Sequence, residues 1–285
     1  MATLRSPFRY DFVGSFLRPQ AIKTARAEFK AGEITREQLT AVENEQITLL
    51  IEKQKRAGYH AITDGEFRRS YWHLDFMWGF AGIDEIELDH GYYFQGEETT
   101  HGSIRVSGKI SGENHPFVEH YKFVKQFEDE NCIARQTMPA PAQLLAELYR
   151  EDNGKNTDTV YPDHEQLLQD IAAAYRTVIR DLYNAGCRSI QFDDERSGNF
   201  EPLQYVAEGK KVVLGLITTK SPRLEDKAAV IARIHEAEKY IPLDRLCLSP
   251  QCGFASCEIG NKLTDLEQWN KLKLVKEIAE EVWGK

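Results

Sequence analysis

What most constrains the fold of this chain is a repeated alternation of short β-branched or apolar runs with long amphipathic stretches. Successive βα units produce that pattern, because a strand buried on both faces reads as a short apolar run and its crossover helix as a longer stretch of 3.6-residue period. Residues 12–16 read as a first strand and 34–57 as the helix after it, with Thr35 as its cap, Leu39, Val42, Ile47, Leu50 and Ile51 in the apolar pattern, and Gly58 as its stop. Residues 61–63 follow as a short strand. Further on, 163–185 read as a helix closed by Gly186, 189–192 as a strand, 211–217 as a strand, 224–239 as a helix, 246–248 as a strand and 264–283 as a closing helix. Between these units, residues 81–117 alternate apolar and polar positions around several glycines, as in Ser103-Ile-Arg-Val-Ser-Gly108. That stretch predicts a small antiparallel excursion from an otherwise parallel α/β fold.

Composition narrows the partners. With 285 residues the chain is long enough for one large barrel or two ordinary domains. A formal charge of −9 at pH 7 disfavours nucleic acid and anionic membranes, since phosphate neutralisation needs clustered Lys and Arg, and points to a small-molecule ligand. No window reaches the roughly 18 apolar residues of a membrane helix, and residues 1–10 lack a continuous apolar run, so a cytoplasmic location is expected. Five cysteines are too few for a disulfide scaffold of this size and are expected to be reduced. Oligomeric state is left open.

Four polar clusters each follow an expected strand: Gly14-Ser15, Asp64-Gly65-Glu66, Asp193-Asp194-Glu195 and Gln251-Cys252-Gly253. In a parallel barrel the strand C-termini converge on one mouth, so these distant segments could build one site. Singly each is weak: a Gly-Ser is commonly just a turn, an Asp-Gly-Glu a solvated loop, and an acidic triple a charged edge. Cys252 could present a thiolate to zinc or be an inert packing residue. Cys257, five positions on, does not make a CxxC pair, and His60, His73, His115 and His235 occur singly. The run from Arg68 to Trp78 combines two arginines with several rings. It suits either a planar ligand bearing carboxylates or an aromatic cluster that packs the excursion.

Read in order, Phe12-Val-Gly-Ser-Phe16, Thr63-Asp-Gly-Glu-Phe67, Ile190-Gln-Phe-Asp193 and Leu248-Ser-Pro-Gln-Cys-Gly-Phe254 resemble the motifs of cobalamin-independent methionine synthase. More closely, they resemble its short bacterial paralogues, which have only the C-terminal catalytic barrel. The resemblance implies one TIM-type (β/α)8 barrel domain over residues 1–285. It also implies a zinc-dependent transfer of a methyl group from 5-methyltetrahydrofolate, or another donor, to the thiol of homocysteine, giving methionine. By the same resemblance Ser15 holds the amino acid's carboxylate, Glu66 and Asp193 hold its ammonium group, and Cys252 is one zinc thiolate.

Three departures qualify this. The chain has no His-x-Cys, which the family uses for two further zinc ligands, and Gln191 falls near where a ligating Glu would be. Ile190-Gln-Phe-Asp-Asp194 runs straight into Glu195-Arg-Ser-Gly-Asn-Phe-Glu-Pro-Leu203, where the family has two more βα units. A segment with the remaining ligands is therefore expected to be missing near Asp194 and Glu195, through a deletion, an engineered junction or a stretch left out of the sequence. The last is preferred, because a barrel lacking two units would expose strand edges and apolar helix faces. Finally, Thr218-Thr-Lys220-Ser-Pro222 stands where the family often has a His before Ser-Pro. Lys220 then becomes the candidate general acid, although a lysine of ordinary pKa, about 10.4, is a poor one at neutral pH. The alternative is a catalytically inactive barrel remnant that binds an amino acid or a partner protein.

Overall fold

The computed structural model describes residues 4, 6–91, 93, 94, 97, 98, 101–193 and 199–284. In chain order the main elements begin with α1 Gln20–Lys30, α2 Arg36–Arg56, β1 Ala61–Ile62, α3 Leu74–Met77, β2 Ala81–Glu87, β3 Tyr93–Phe94, β4 Glu97–Glu98 and β5 Gly102–Ser111. There follow α4 Phe117–Lys125, β6 Ile133–Ala134, β7 Gln136–Pro139, α5 Pro141–Leu148, α6 Asn153–Val160, α7 His164–Asn184 and β8 Ile190–Asp193. The last are β9 Val212–Ile217, α8 Lys227–Glu238, β10 Leu246–Pro250 and α9 Asp265–Trp283. The chain divides into two compact units, one of Met1–Arg68, Glu128–Ile133 and Glu195–Lys285, the other of Arg69–Phe127 and Ala134–Asp194. Among the described residues no helix is long and apolar enough to cross a membrane.

In the first unit, β10 pairs parallel to β9, with Leu246 opposite Val212. On its other side it bonds the N-terminal segment: Leu248 N–H donates to Arg9 O and Asp11 N–H donates to Leu248 O, both at 2.9 Å. Leu214, Ile217, Val230, Ile234, Leu246, Leu248, Val275 and Ile278 form the core where α8 and α9 cover these strands. The expected strand over 12–16 is not formed. The ladder contact lies earlier, at Tyr10, and beyond it the backbone of Ser15 and Phe16 bonds to two loops instead of to a strand. Helix α2 starts where its capping box places it: Thr35 Oγ1 accepts from Gln38 N–H and Gln38 Oε1 accepts from Thr35 N–H. Thr264 and Glu267 do the same for α9. Helix α8 begins three residues later than expected, because Asp226 is its cap, accepting from Ala229 N–H at 2.8 Å.

In the second unit the expected excursion is an antiparallel pair, β2 with β5, Glu85 opposite Ile104. It ends at Ser111, short of the expected 117, where α4 starts. Strands β7 and β8 pair in parallel, Gln136 opposite Ile190 and Pro139 opposite Asp193. Asp163 caps α7 through Glu165 and Gln166 N–H. The aromatic run past Arg68 supplies core: Phe76 packs on Phe80, His115, Phe117 and Tyr175 with ring centroids 4.4–5.3 Å apart. The buried Arg69 lies 4.5 Å over the Phe117 ring and donates to Thr137 O and Oγ1, both at 2.8 Å.

The α/β class and the parallel pairing agree with expectation. The closed eight-stranded sheet does not occur among the described residues, where each sheet has two strands. The reason is one of length. Only residues 194–211 separate β8 from β9, whereas two further strand–helix units need roughly 60 residues at about 30 per unit.

His115 gives this packing a pH dependence. It is 1% exposed, its Nε2 lies 2.8 Å from Phe76 O, and its Nδ1 accepts from Phe117 N–H at 3.2 Å, so the ring is the neutral Nε2–H tautomer. Burial, with Arg69 adding to it, pushes its pKa down to about 4. An unfolded histidine titrates near 6.5, so the unfolded chain takes up the proton first and stability is lost as pH falls between these values, by about 3 kcal/mol in all. Urea midpoints measured across that interval are expected to fall more steeply for the wild type than for His115→Asn. Parallel slopes would contradict the assignment.

Candidate functional site

The sequence Thr63-Asp-Gly-Glu66 folds as a tight turn because its own side chains bond its backbone. Thr63 Oγ1 accepts from Gly65 N–H at 3.1 Å and Asp64 Oδ1 accepts from Glu66 N–H at 2.8 Å. Gly65 and Glu66 both adopt the left-handed region, with φ of 64° and 60°. Glycine is required at 65, since a Cβ there would meet Leu50 Cδ2 at 2.2 Å. Glu66 is the informative residue. Of the non-glycine residues described with positive φ, Asn114 and Glu151 are exposed, whereas Glu66 is 1% exposed. That conformation costs about 1–2 kcal/mol and persists where the surroundings over-determine it, which marks a candidate functional position.

Ser15 meets this turn from the N-terminal segment. Phe16 N–H donates to Gly65 O at 3.0 Å, Phe254 N–H to Ser15 O at 2.8 Å, and Ala255 N–H to Ser15 Oγ at 3.2 Å. Arg18 donates to both Phe16 O and Ala255 O. A Cβ on Gly253 would lie 1.8 Å from Ser15 Oγ, so glycine is the residue that lets the last strand's loop close on the serine. Cys252, beside it, is half-buried. Asn261 joins the Lys220 loop to the same place: its N–H donates to Phe254 O at 3.0 Å, its Nδ2 to Thr219 O at 2.8 Å, and Lys220 Nζ lies 3.5 Å from its Oδ1. Behind that loop the fully buried Lys271 grips Glu225, whose Oε1 also accepts from Thr218 N–H.

Ser15, Glu66, Cys252 and Lys220 thus belong to one bonded set of loops within the first unit. Asp193 ends β8 in the second unit, and its side chain lies outside what is described. Asp194 and Glu195 lie outside the described residues. Asn261, Arg18 and Gln54 escaped the sequence reading. Gln54 Oε1 accepts from Thr63 N–H and its Nε2 donates to Thr63 O, at 3.1 and 3.3 Å. Its signal was legible as a polar residue continuing the apolar stripe of α2, while the two loop residues sit in no periodic pattern.

The hydroxyl of Ser15 can donate to a carboxylate and the carboxylate of Glu66 can accept from an ammonium group, the two ends of an amino acid. The fit to zinc is poor. No cluster of three or more His, Cys, Asp or Glu occurs among the described residues. Burial pushes the Cys132 and Cys247 thiols up, away from the thiolate a metal needs. In the same unit His60 is bonded to Asn131 O and His235 to Glu238. Among the described residues no second metal donor is grouped with Cys252 into a set of three or more.

The chain matches the family model described as the catalytic domain of cobalamin-independent synthase, in two pieces over residues 10–199 and 194–280. Bacillus subtilis YxjH, a protein of uncharacterized function, is 34% identical over 368 aligned positions covering 98% of this chain and 96% of its own. That alignment is longer than the 285 residues here, so YxjH carries positions this chain lacks, and the family model breaks at the 194–199 junction. A Listeria monocytogenes crystal structure, described as a candidate vitamin-B12 independent methionine synthase, has a TM-score of 0.77 at 33% identity and covers 99% of this chain and 100% of its own. A 5-methyltetrahydropteroyltriglutamate–homocysteine methyltransferase from Thermosynechococcus vestitus is 27% identical over 70% of this chain and 24% of its own length.

Two substitutions test the geometry. Gly253→Ala is expected to lower stability by about 1–3 kcal/mol, read from urea midpoints, because Ser15 and its loop must shift. Glu66→Gly is expected to leave stability unchanged or raise it by up to about 1 kcal/mol, since glycine takes φ near +60° without strain. A marked loss on that second change would show that Glu66 is not strained.

Proposed function

The chain belongs to the cobalamin-independent synthase catalytic-domain family, a methyltransferase family, and from that premise we propose that it holds homocysteine by its amino-acid end for transfer of a methyl group to the sulfur, giving methionine. The observation that most supports this is the strained, buried Glu66 bonded into the same loops as Ser15. In this reading the Ser15 hydroxyl donates to the substrate carboxylate, and Glu66 with Asp193 accepts from the ammonium group. A single methionine-synthase-like domain over 1–285 is part of the proposal, as is a cytoplasmic location. The methyl donor is 5-methyltetrahydrofolate or another methyl carrier, and Lys220 is the proposed proton donor to its leaving nitrogen.

Zinc, where the family's site is complete, lowers the thiol pKa so that the acceptor is a thiolate. The described residues supply Cys252 alone toward such a site, and no step here is derived through the metal. That donor set favours a second reading in which the chain binds the amino acid without transferring a methyl group.

Calorimetric titration of the full chain with L-homocysteine and L-methionine tests both. Binding is expected, with Ser15→Ala or Glu66→Gln raising Kd about tenfold or more. Methionine formed from homocysteine and methyltetrahydrofolate with added zinc supports transfer. Binding without product leaves the second reading, and no binding of either amino acid sinks both.

A further inference from the structure

Glu66 is held from both sides by one face of α2. The buried residues of that helix are Leu39, Glu43, Ile47, Leu50, Ile51 and Gln54, so the stripe carries a polar residue near each end of its apolar centre. Glu43 and Gln54 are three helical turns apart and point the same way. Gln54 fixes Thr63, ahead of the strained residue, and the Leu50 side chain stands against Gly65.

On the far side the contacts run through Glu43, with Glu258 Oε2 also holding Arg26 Nη1 at 3.2 Å. Glu43 Oε2 accepts from Arg68 Nη1 at 2.9 Å, and its Oε1 lies 3.9 Å from Arg26 Nη2. That same Arg26 nitrogen donates to Phe67 O at 3.0 Å, the carbonyl immediately after Glu66. Arg68 also donates to Asn44 Oδ1 at 2.5 Å. The Glu43, Arg26 and Arg68 side chains are 6–14% exposed, so their mutual attraction is weakly screened. Burial pushes the Glu43 carboxyl up and the two arginines pull it back.

A buried ion cluster of this kind is seldom a net source of stability compared with apolar packing, and its contribution is a defined geometry. We propose that Glu43, outside the amino-acid pocket, is the positioning residue of the site: through Arg68 and Arg26 it fixes the backbone after Glu66 and so keeps Glu66 in its left-handed conformation. The inference rests on Glu66 being a substrate-binding carboxylate, but its central test does not.

That test is the coupling between positions 43 and 66. Thermal midpoints of the full chain are compared for wild type, Glu43→Gln, Glu66→Gly and the double variant. Glu43→Gln is expected to lower Tm by several degrees, and by less than half as much in the Glu66→Gly background, where no strained residue needs holding. Equal losses in the two backgrounds overturn the proposal, because an ion pair with a merely structural role would behave so. Should Glu43→Gln fail to fold, Glu43→Asp, which keeps the charge but shortens its reach, is expected to show the same dependence on background, and a background-independent loss again overturns it. Titration with L-methionine adds a second readout: Kd is expected to rise about tenfold in Glu43→Gln, and unchanged affinity counts against the role. If the wild-type chain binds no amino acid, the substrate reading of Glu66 fails while the midpoints still decide on Glu43.

Discussion

The bonding of β10 on both edges is the constraint on which the rest of the site depends. One edge pairs parallel with β9, with a register shift between Ser249 and Pro250, and the other accepts the N-terminal segment through Leu248, so residues at opposite ends of the chain leave the sheet side by side. Parallel strands exit in the same direction, and the segments that follow them, 12–16 and 251–255, are therefore delivered to the same side. The backbone bonds between Ser15 and Phe254 and between Phe16 and Gly65 follow from that delivery. Without the Leu248 interlock, Ser15 would have no fixed place relative to Cys252 or to the 63–66 turn.

The turn shows how a fold supports a strained residue. Glu66 occupies backbone space that its side chain disfavours, and the surroundings compensate: Thr63, Asp64 and Gln54 oxygens accept from the turn's N–H groups and Arg26 donates to Phe67 O. A relaxed backbone at this position would aim the carboxylate elsewhere. The stability given up there is spread over a helix face whose apolar centre belongs to the core, so the cost is local and the support is not.

Legibility followed the physics of each element. Helices α2, α7 and α9 were readable almost to the residue because Thr35, Asp163 and Thr264 bond their own first turns, a signal that needs no tertiary context. The start of α8 was misread since Leu224 continued an apolar pattern while Asp226 held the cap. The supposed strand at 12–16 has the right composition, yet its backbone partners are loops, and pairing partners are not written in a local stretch of sequence. Strand β7 was missed because Gln136-Thr-Met-Pro139 neither alternates nor runs apolar, although all its residues are buried. At the site, the identities Ser15, Glu66 and Cys252 were legible from motif and position; the backbone strain at Glu66 and the polar clamps behind it were not, since no residue type announces a left-handed glutamate. The aromatic run after Arg68 had two readings of equal weight, and the packing of Phe76 against His115 and Tyr175 shows it serving as core.

The contact between Gly253 and Ser15 also limits how this site could change over time. Because a Cβ at 253 would overlap the serine oxygen, added bulk at either position on that side costs stability unless the other gives way. The two positions lie near opposite ends of the chain but constrain each other as one unit of variation. Variation in these loops is therefore expected to fall on residues around the pair, while the pair itself stays fixed.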